Sequence, residues 1–216
     1  CREYFGNDNS ITLELACGKG EYTLGLARRF PDRNFIGVDR KGERIWKGAR
    51  IALEQNLKNV IFLRTDIDRI ADLFGEKEIS EIWITFPDPF PGQGKASKRL
   101  TSPPFLNIYR DILKMNGAIH LKTDDDDLFD YTLRILKAED CIVHNITRDL
   151  YKQPISNELL TLKTTYEKKH IEAGKTIKYL RFGFGSHQPD MPKYKNANSG
   201  KSMADDVSIR PVRSQK

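Results

Sequence analysis

The sequence predicts an α/β fold in which helices cover both faces of a mostly parallel sheet of seven strands. Short apolar runs typical of buried strands alternate with helical patterns for more than half of the 216 residues. The successive runs are not separated by hairpin signals, so helices are expected to connect them and the strands to lie parallel. The last two strands lack a clear helix between them, which favours an antiparallel strand at that edge.

The first half of the chain supplies the opening strand–helix units. The strand patterns cover residues 11–15, 34–38 and 60–63. Tyr22 and Leu26 stand four residues apart after the first strand and predict a helix that Pro31 ends. A second helical pattern runs from about residue 43 to 57.

The second half continues the alternation. Strand patterns cover residues 79–86, 118–122, 141–146 and 177–184, with helical patterns at 104–113 and from 124 to about 137. The whole arrangement is Rossmann-like and doubly wound. In such sheets, ligands bind beyond the carboxyl ends of the strands.

The domain prediction divides the chain into residues 1–185, which form the folded domain, and residues 186–216, a basic tail. The tail holds six Lys or Arg against three Asp and is rich in Ser, Asn, Gly and Pro. It has few apolar residues and no periodicity, so it is expected to be disordered.

Composition limits the class of protein. A net charge of +6 and a pI near 9.1 make a polyanionic partner plausible. No apolar run approaches the roughly 20 residues that span a membrane. The opening residues lack a signal-peptide pattern, and Cys1, Cys17 and Cys141 form no Cys-x-x-Cys pair. These features predict a cytoplasmic protein without a zinc site or disulfide framework.

Four acids follow four predicted strands. Asp39, Asp66, Asp88 and Asp124 each stand at or just after a strand's carboxyl end, so they are expected to line one crevice. Helix capping and turn formation offer another explanation, which could account for Asp66 and Asp124 alone. The run 124–127 could suggest magnesium, but acids in a first helical turn are favoured by the helix dipole, so no obligatory metal is predicted.

The loop after the first strand indicates a nucleotide cofactor. Gly18 and Gly20 let the backbone approach a ligand, and Asp39, about 20 residues later, can accept hydrogen bonds from a ribose diol. A phosphate-binding loop would need glycine at Leu13, and a dinucleotide fingerprint would need glycine at Thr23. Glu14 would repel a pyrophosphate but attract the cationic S-adenosylmethionine, which is therefore the predicted cofactor. A structural acid that faces a helix is the alternative explanation of Glu14.

A proline-rich turn follows the fourth strand. Residues 86–91 read Phe-Pro-Asp-Pro-Phe-Pro, and the prolines hold Asp88 in a stiff turn with few backbone donors. A Gly-Gln-Gly link then leads to Lys95, Lys98 and Arg99. A fixed acid and aromatic beside cations suit a site that holds a nucleobase near phosphates. A solvated loop after a strand explains the same residues equally well.

Together these segments resemble the bacterial tRNA (guanine-N7)-methyltransferase family over residues 11–184. The resemblance lies in Leu-Glu-Leu-Ala-Cys-Gly-Lys-Gly at 13–20, Phe-Ile-Gly-Val-Asp at 35–39 and the proline turn at 86–91. Leu-Lys-Thr-Asp at 121–124 and Thr-Thr-Tyr-Glu at 164–167 agree with it. The family usually carries a dense basic cluster that begins where Gly92 stands, so this chain departs from the pattern there.

The resemblance implies formation of 7-methylguanosine in the variable loop of tRNA. It also implies roles for individual residues. The implied cofactor-binding residues are Glu14, Gly18, Gly20, Asp39, Asp66 and Asp88, and Asp88 is also similar to the family's proposed catalytic residue. The implied substrate contacts are Asp124, Thr164, Thr165, Tyr166 and Glu167.

Two other functions stay open from the sequence. One is a methyltransferase of the same fold that acts on a small molecule or a protein. The other is a non-catalytic RNA-binding module. The basic residues near Asp88 and Tyr166 weigh against the first, and the acids at every strand end weigh against the second. The oligomeric state does not follow from the sequence.

Overall fold

The computed structural model describes residues 2–152, 154–155 and 157–185. The predicted tail, residues 186–216, lies outside them. The strands are β1 (Ile11–Leu15), β2 (Asn34–Asp39), β3 (Val60–Arg64), β4 (Ile79–Thr85), β5 (Leu113–Thr123), β6 (Ile142–Thr147) and β7 (Lys178–Gly183). The α-helices are α1 (Arg2–Phe5), α2 (Glu21–Arg29), α3 (Gly42–Glu54), α4 (Pro103–Ile112), α5 (Asp126–Ala138), α6 (Glu158–Thr161) and α7 (Thr165–Glu172).

All seven strands form one sheet, in the order β3-β2-β1-β4-β5-β7-β6. The pairs from β3 through β5 are parallel, and β7 is antiparallel to both of its neighbours, β5 and β6. The predicted mixed sheet is therefore confirmed, with the antiparallel strand one position in from the edge. The carboxyl ends of the first five strands lie along the same end of the sheet, which is called the carboxyl edge below. The chain order reverses between β1 and β4.

Each face of the sheet has its own apolar core. Leu13, Ile36 and Ile84 face α4, α5 and a 3₁₀ helix at Ile67–Asp72. Trp83 and Phe35 lie on the other face, with apolar residues of α2, α3 and α6. Alternation along the strands produces both cores, because successive side chains point to opposite faces. No helix among the described residues has both the length and the apolar character needed to cross a membrane.

The connection between the last two strands differs from the prediction. Two short helices, α6 and α7, lie between β6 and β7, where no clear helix was predicted. The reason is visible in α7, whose only buried residue is Glu167. A helix that buries a carboxylate instead of an apolar stripe carries no hydrophobic periodicity for the sequence to reveal.

One aromatic ring fixes the packing beneath the first glycine loop. Phe62 of β3 lies against Gly20, Gly37 and Gly48. A Cβ added at Gly37 or Gly48 would stand 2.7 or 2.8 Å from the ring, and one at Gly20 would also overlap it. Close approach of α2, α3 and β2 therefore depends on the missing side chains at these positions.

Candidate active site

The loop after β1 and the end of β2 form one hydrogen-bonded unit. Gly18 N donates to Oδ2 of Asp39 at 3.0 Å, and Lys41 N donates to Oδ1 at 2.8 Å. Gly18 has a φ of +58°, and no atom lies within 4 Å of where its Cβ would be. Gly18 and Asp39, both predicted to bind the cofactor, are thus joined by a direct hydrogen bond.

Glu14 lies beneath this loop and is 3% exposed. Its Oε2 accepts hydrogen bonds from Thr23 N at 2.9 Å and from the Thr23 hydroxyl, and its Oε1 accepts one from the Thr85 hydroxyl at 2.6 Å. Burial raises the pKa of the carboxyl, while the hydrogen bonds oppose that shift. Glu14 therefore joins the first turn of α2 to the end of β4, a role that its spacing alone did not reveal.

Asp66 follows β3, the outermost strand on this side of the sheet. It is exposed and lines a cleft of about 280 Å³ with Arg40, Arg64 and Arg69. Thr65 N donates to the Asp39 carbonyl oxygen at 3.2 Å, which brings Asp66 next to Asp39. The acids predicted at strand ends do reach one edge of the sheet, in the spatial order Asp66, Asp39, Asp88, Asp124. Four strand spacings of about 4.8 Å make this row roughly 19 Å long.

The proline turn presents Asp88 to solvent at the centre of the edge. Phe86 and Phe90 flank it with φ of +51° and +43°, a left-handed conformation that aromatic residues adopt rarely. Phe86 N donates to the Lys122 carbonyl oxygen at 2.8 Å, which anchors the start of the turn to β5. Strained backbone of this kind costs about 1–3 kcal/mol per residue and is concentrated at functional sites.

An aromatic cluster lies beside the turn. The ring of Tyr166, 51% exposed, is 5.4 Å from that of Phe86 and 4.1 Å from that of His170. Asp124 Oδ2 lies 2.8 Å from His170 Nδ1 and 2.6 Å from Lys175 Nζ. Burial and the nearby Asp124 raise the pKa of Tyr166. The cluster offers an aromatic surface next to a carboxylate, which suits a nucleobase.

Glu167 does not face solvent, unlike Tyr166 beside it. Its side chain and that of Lys122 are both 0% exposed, and Lys122 Nζ lies 2.6 and 2.8 Å from its two oxygens. The Tyr151 hydroxyl donates to Oε1 at 2.5 Å. Burial lowers the pKa of Lys122, and Glu167 opposes that shift. The buried pair anchors α7 to β5 under the aromatic cluster.

Thr164 and Thr165 are tied to helix starts. The Thr164 hydroxyl caps α7 by accepting from Glu167 N at 3.1 Å. Thr165 N donates to Oε2 of Glu21 at 2.6 Å, which links the first turns of α7 and α2. The Thr165–Glu21 contact holds the segment that carries Tyr166 against α2, while the Thr164 cap fixes the start of α7 itself.

The cations near the site divide into exposed and engaged ones. Lys95, Lys98, Lys168 and Lys169 are exposed around the turn and α7. Lys178, the first residue of β7, is instead 3% exposed and binds the Asp124 carbonyl oxygen and Asp126. The acidic run is used in such contacts, and Asp125 caps α5. Within the described ranges, His, Cys, Asp and Glu form no group of three that could hold a metal ion.

Four residues of the site were missed by sequence reasoning: Thr23, Thr85, Lys122 and His170. His170 could have been found, because it stands four residues after Tyr166 on the same helix and therefore on the same face. Thr23, Thr85 and Lys122 meet their partners only through the tertiary fold, and even the motif at 121–124, which contains Lys122, does not indicate its partner.

Comparisons with known proteins show which family the chain resembles. Residues 8–180 match the family model described as "Putative methyltransferase". The chain is 50% identical over 189 residues to the tRNA (guanine-N(7)-)-methyltransferase of Porphyromonas gingivalis, covering 87% of this chain and 76% of that protein. It is 48% identical over 180 residues to the enzyme of the same name from Christiangramia forsetii, covering 83% and 80%.

Solved structures show the same fold at low identity. A 30S ribosomal A1408 methyltransferase from an uncultured bacterium matches with a TM-score of 0.62 and 16% identity, over 83% of this chain and 90% of that one. The geranyl diphosphate C-methyltransferase of Streptomyces coelicolor, solved with S-adenosyl-L-homocysteine, matches with a TM-score of 0.55 and 17% identity over 83% and 75%. The chain is a methyltransferase that uses S-adenosylmethionine, and it belongs to the tRNA (guanine-N(7)-)-methyltransferase family.

Proposed function

We propose that this chain methylates N7 of a guanine in the variable loop of tRNA, with S-adenosylmethionine as methyl donor, in the bacterial cytoplasm. One observation of the geometry supports it most directly. The Asp88 turn lies between the glycine loop with Asp39 on one side and the Tyr166–Asp124 cluster on the other. A cofactor and a nucleobase held on these two sides would meet at Asp88.

The residues divide the work of binding. Gly18 and Gly20 would let the loop lie against the cofactor, Asp39 would accept from the ribose diol, and Asp66 would contact the adenine end. Glu14 would hold α2 and β4 in register beneath them through Thr23 and Thr85. The open space over Gly18 and the unused lone pairs of the Asp39 carboxylate fit this assignment.

The chemistry requires alignment more than proton transfer. When bound, S-adenosylmethionine supplies a methyl group on a sulfonium that becomes a neutral thioether. Guanine N7 carries a lone pair and no proton, so no residue has to remove one from it. Holding the two reactants in line contributes several kcal/mol. Asp88 would complement the positive charge that the purine gains, and Tyr166 would support the base.

The surrounding cations would bind the rest of the tRNA. Lys95 and Lys98 on one side, and Lys168 and Lys169 on the other, are exposed next to the site. Phosphate contacts of this kind position a nucleic acid without reading its sequence.

Methyl transfer from labelled S-adenosylmethionine to unmodified tRNA, followed by nucleoside analysis, tests the function. 7-Methylguanosine as the sole product is expected. Transfer to another nucleoside, or cofactor binding without transfer to any tRNA, would contradict the proposal and direct attention to a different acceptor.

Asp88→Asn separates the roles of that residue. If Asp88 complements charge on the purine, kcat falls while the cofactor Kd, measured by calorimetry, stays within about twofold of wild type. An equal loss of cofactor binding and of kcat would show instead that Asp88 serves mainly the cofactor.

A further inference from the structure

Arg99 differs from the other cations that follow the proline turn. The sequence groups it with Lys95 and Lys98, yet it is 8% exposed while both lysines are exposed. Its Nε donates to the carbonyl oxygen of Pro89 at 3.0 Å and to that of Phe90 at 3.3 Å. Its Nη2 also donates to the Phe90 carbonyl oxygen at 3.1 Å. The turn therefore takes up the Nε–H and an Nη2 N–H of a guanidinium that is largely shielded from solvent, whereas the two lysines keep their ammonium groups exposed.

Among the described residues, no opposite charge is paired with the buried guanidinium of Arg99. No carboxylate in the described part of the chain lies within ion-pair distance of Arg99. Its guanidinium instead lies 4.2 Å from the ring centroid of Tyr131, whose hydroxyl donates to the Ala96 carbonyl oxygen at 3.3 Å. Burying a charge is costly unless hydrogen bonds and a favourable surface compensate it. Here the compensation comes from the turn itself and from α5.

The two carbonyl groups that Arg99 holds follow Asp88 directly. Phe90 has a φ of +43°, so this part of the turn is strained and would relax without a restraint. Tyr131 belongs to α5, the helix that begins just after Asp124 and Asp125. Arg99 thus connects the backbone of the Asp88 turn to the helix next to the Asp124 cluster.

We propose that Arg99 is a positioning residue that fixes the Asp88 turn relative to α5, and that it is not a phosphate ligand. This inference rests on the proposed tRNA methylation, because its main readout is the rate of that reaction. The guanidinium holds the left-handed turn at Phe90, and the turn sets where Asp88 stands between the two halves of the site.

Arg99→Ala tests this by separating rate from binding. A displacement near 1 Å at a reacting site lowers rates by up to a hundredfold, so kcat per cofactor-binding molecule is expected to fall roughly ten- to a hundredfold. The cofactor Kd is expected to stay within about twofold of wild type. The salt dependence of tRNA affinity is expected to stay unchanged, since each lost phosphate contact would reduce its slope by roughly 0.7–0.9.

Matched variants sharpen the result. Lys98→Gln removes an exposed cation next to Arg99 and is expected to reduce the salt slope, which Arg99→Ala does not. Lys58 lies just before β3, at the end of the strands opposite to the site. Lys58→Gln is expected to change neither kcat nor the salt slope. Added guanidinium ion at non-denaturing concentration is expected to restore part of kcat in Arg99→Ala and none in Lys98→Gln.

Other outcomes would overturn the inference. A reduced salt slope with wild-type kcat would make Arg99 a phosphate ligand. Wild-type kcat per cofactor-binding molecule, with a lower Tm alone, would make it only a structural residue. If Arg99→Ala does not fold, Arg99→Lys and Tyr131→Leu replace it, and wild-type kcat in both would likewise overturn the inference. A wild-type protein that forms no 7-methylguanosine would refute the proposed function, whereas active wild type with unaffected variants refutes only the role of Arg99.

Discussion

The buried pair of Lys122 and Glu167 gives the sharpest stability prediction. Both side chains are 0% exposed, and their charged atoms lie 2.6 and 2.8 Å apart. Removing one partner of such a pair leaves an uncompensated buried charge and costs about 3–5 kcal/mol. Lys122→Met and Glu167→Gln are each expected to lose that much. In a domain of this size, Tm would fall by roughly 6–20 °C.

The double variant carries the decisive information. Lys122→Met with Glu167→Gln leaves no charge, and the new amide oxygen can still accept from the Tyr151 hydroxyl. The double loss is expected to be smaller than the summed single losses by about 1–3 kcal/mol. Urea unfolding followed by circular dichroism measures all four proteins, with Glu172→Gln on the exposed side of α7 as the matched control.

Two results would refute this reasoning. Additive losses would mean that the two charges do not stabilise each other in the folded protein. Wild-type stability of Glu167→Gln together with lost tRNA methylation would mean that Glu167 reaches the guanosine, as the family resemblance implies, and is not an internal brace.

The remaining predictions concern the cofactor loop and the sheet. Asp39→Asn places an amide donor against the Gly18 or Lys41 N–H, so cofactor Kd is expected to rise about tenfold or more by calorimetry; an unchanged Kd would exclude the role of Asp39. Thr85→Val leaves Oε1 of buried Glu14 without its partner and is expected to cost about 1–3 kcal/mol in urea unfolding, whereas a neutral effect would contradict the network. Burial lowers the pKa of His120 from 6.5 to about 3, so the unfolded state binds the proton first and stability is lost as pH falls from 6.5 towards 3. Between pH 7.5 and 5 this lowers the free energy of unfolding by about 2 kcal/mol, and His120→Gln should remove that loss. Equal losses in the wild type and the variant would contradict the prediction.

The positions of the strands and of the acids at their ends could be predicted from the sequence, because both depend on local patterns. Apolar runs bounded by Gly, Pro and Asp mark the strands, and parallel connection brings Asp39, Asp66, Asp88 and Asp124 to one edge whatever the details. The cofactor followed from charge, since an acid before a glycine loop disfavours a pyrophosphate.

The limits of the sequence prediction have one physical origin. Side-chain partners brought together by the fold are invisible locally, so the Thr85 contact of Glu14 and the burial of Glu167 were not foreseen. Arg99 was grouped with lysines of the same charge because composition does not distinguish a buried cation from an exposed one. Helix α7 was missed because it buries a carboxylate in place of an apolar stripe.

The ring of Phe62 would meet a side chain at any of three glycines, but only at Gly37 does it decide whether a substitution is tolerated. At Gly37 the ring is the nearest obstacle, with the Cys17 sulfur next at 3.0 Å, so a smaller residue at position 62 relieves most of the block. Gly48 would still meet the Lys19 carbonyl oxygen at 2.8 Å, and Gly20 is held by its φ of +71°. Gly37→Ala is therefore tolerated only after Phe62 has been replaced by a smaller residue. Alanine at Gly20 or Gly48 is not tolerated in either case. The order in which substitutions arise decides which of them this chain can accumulate.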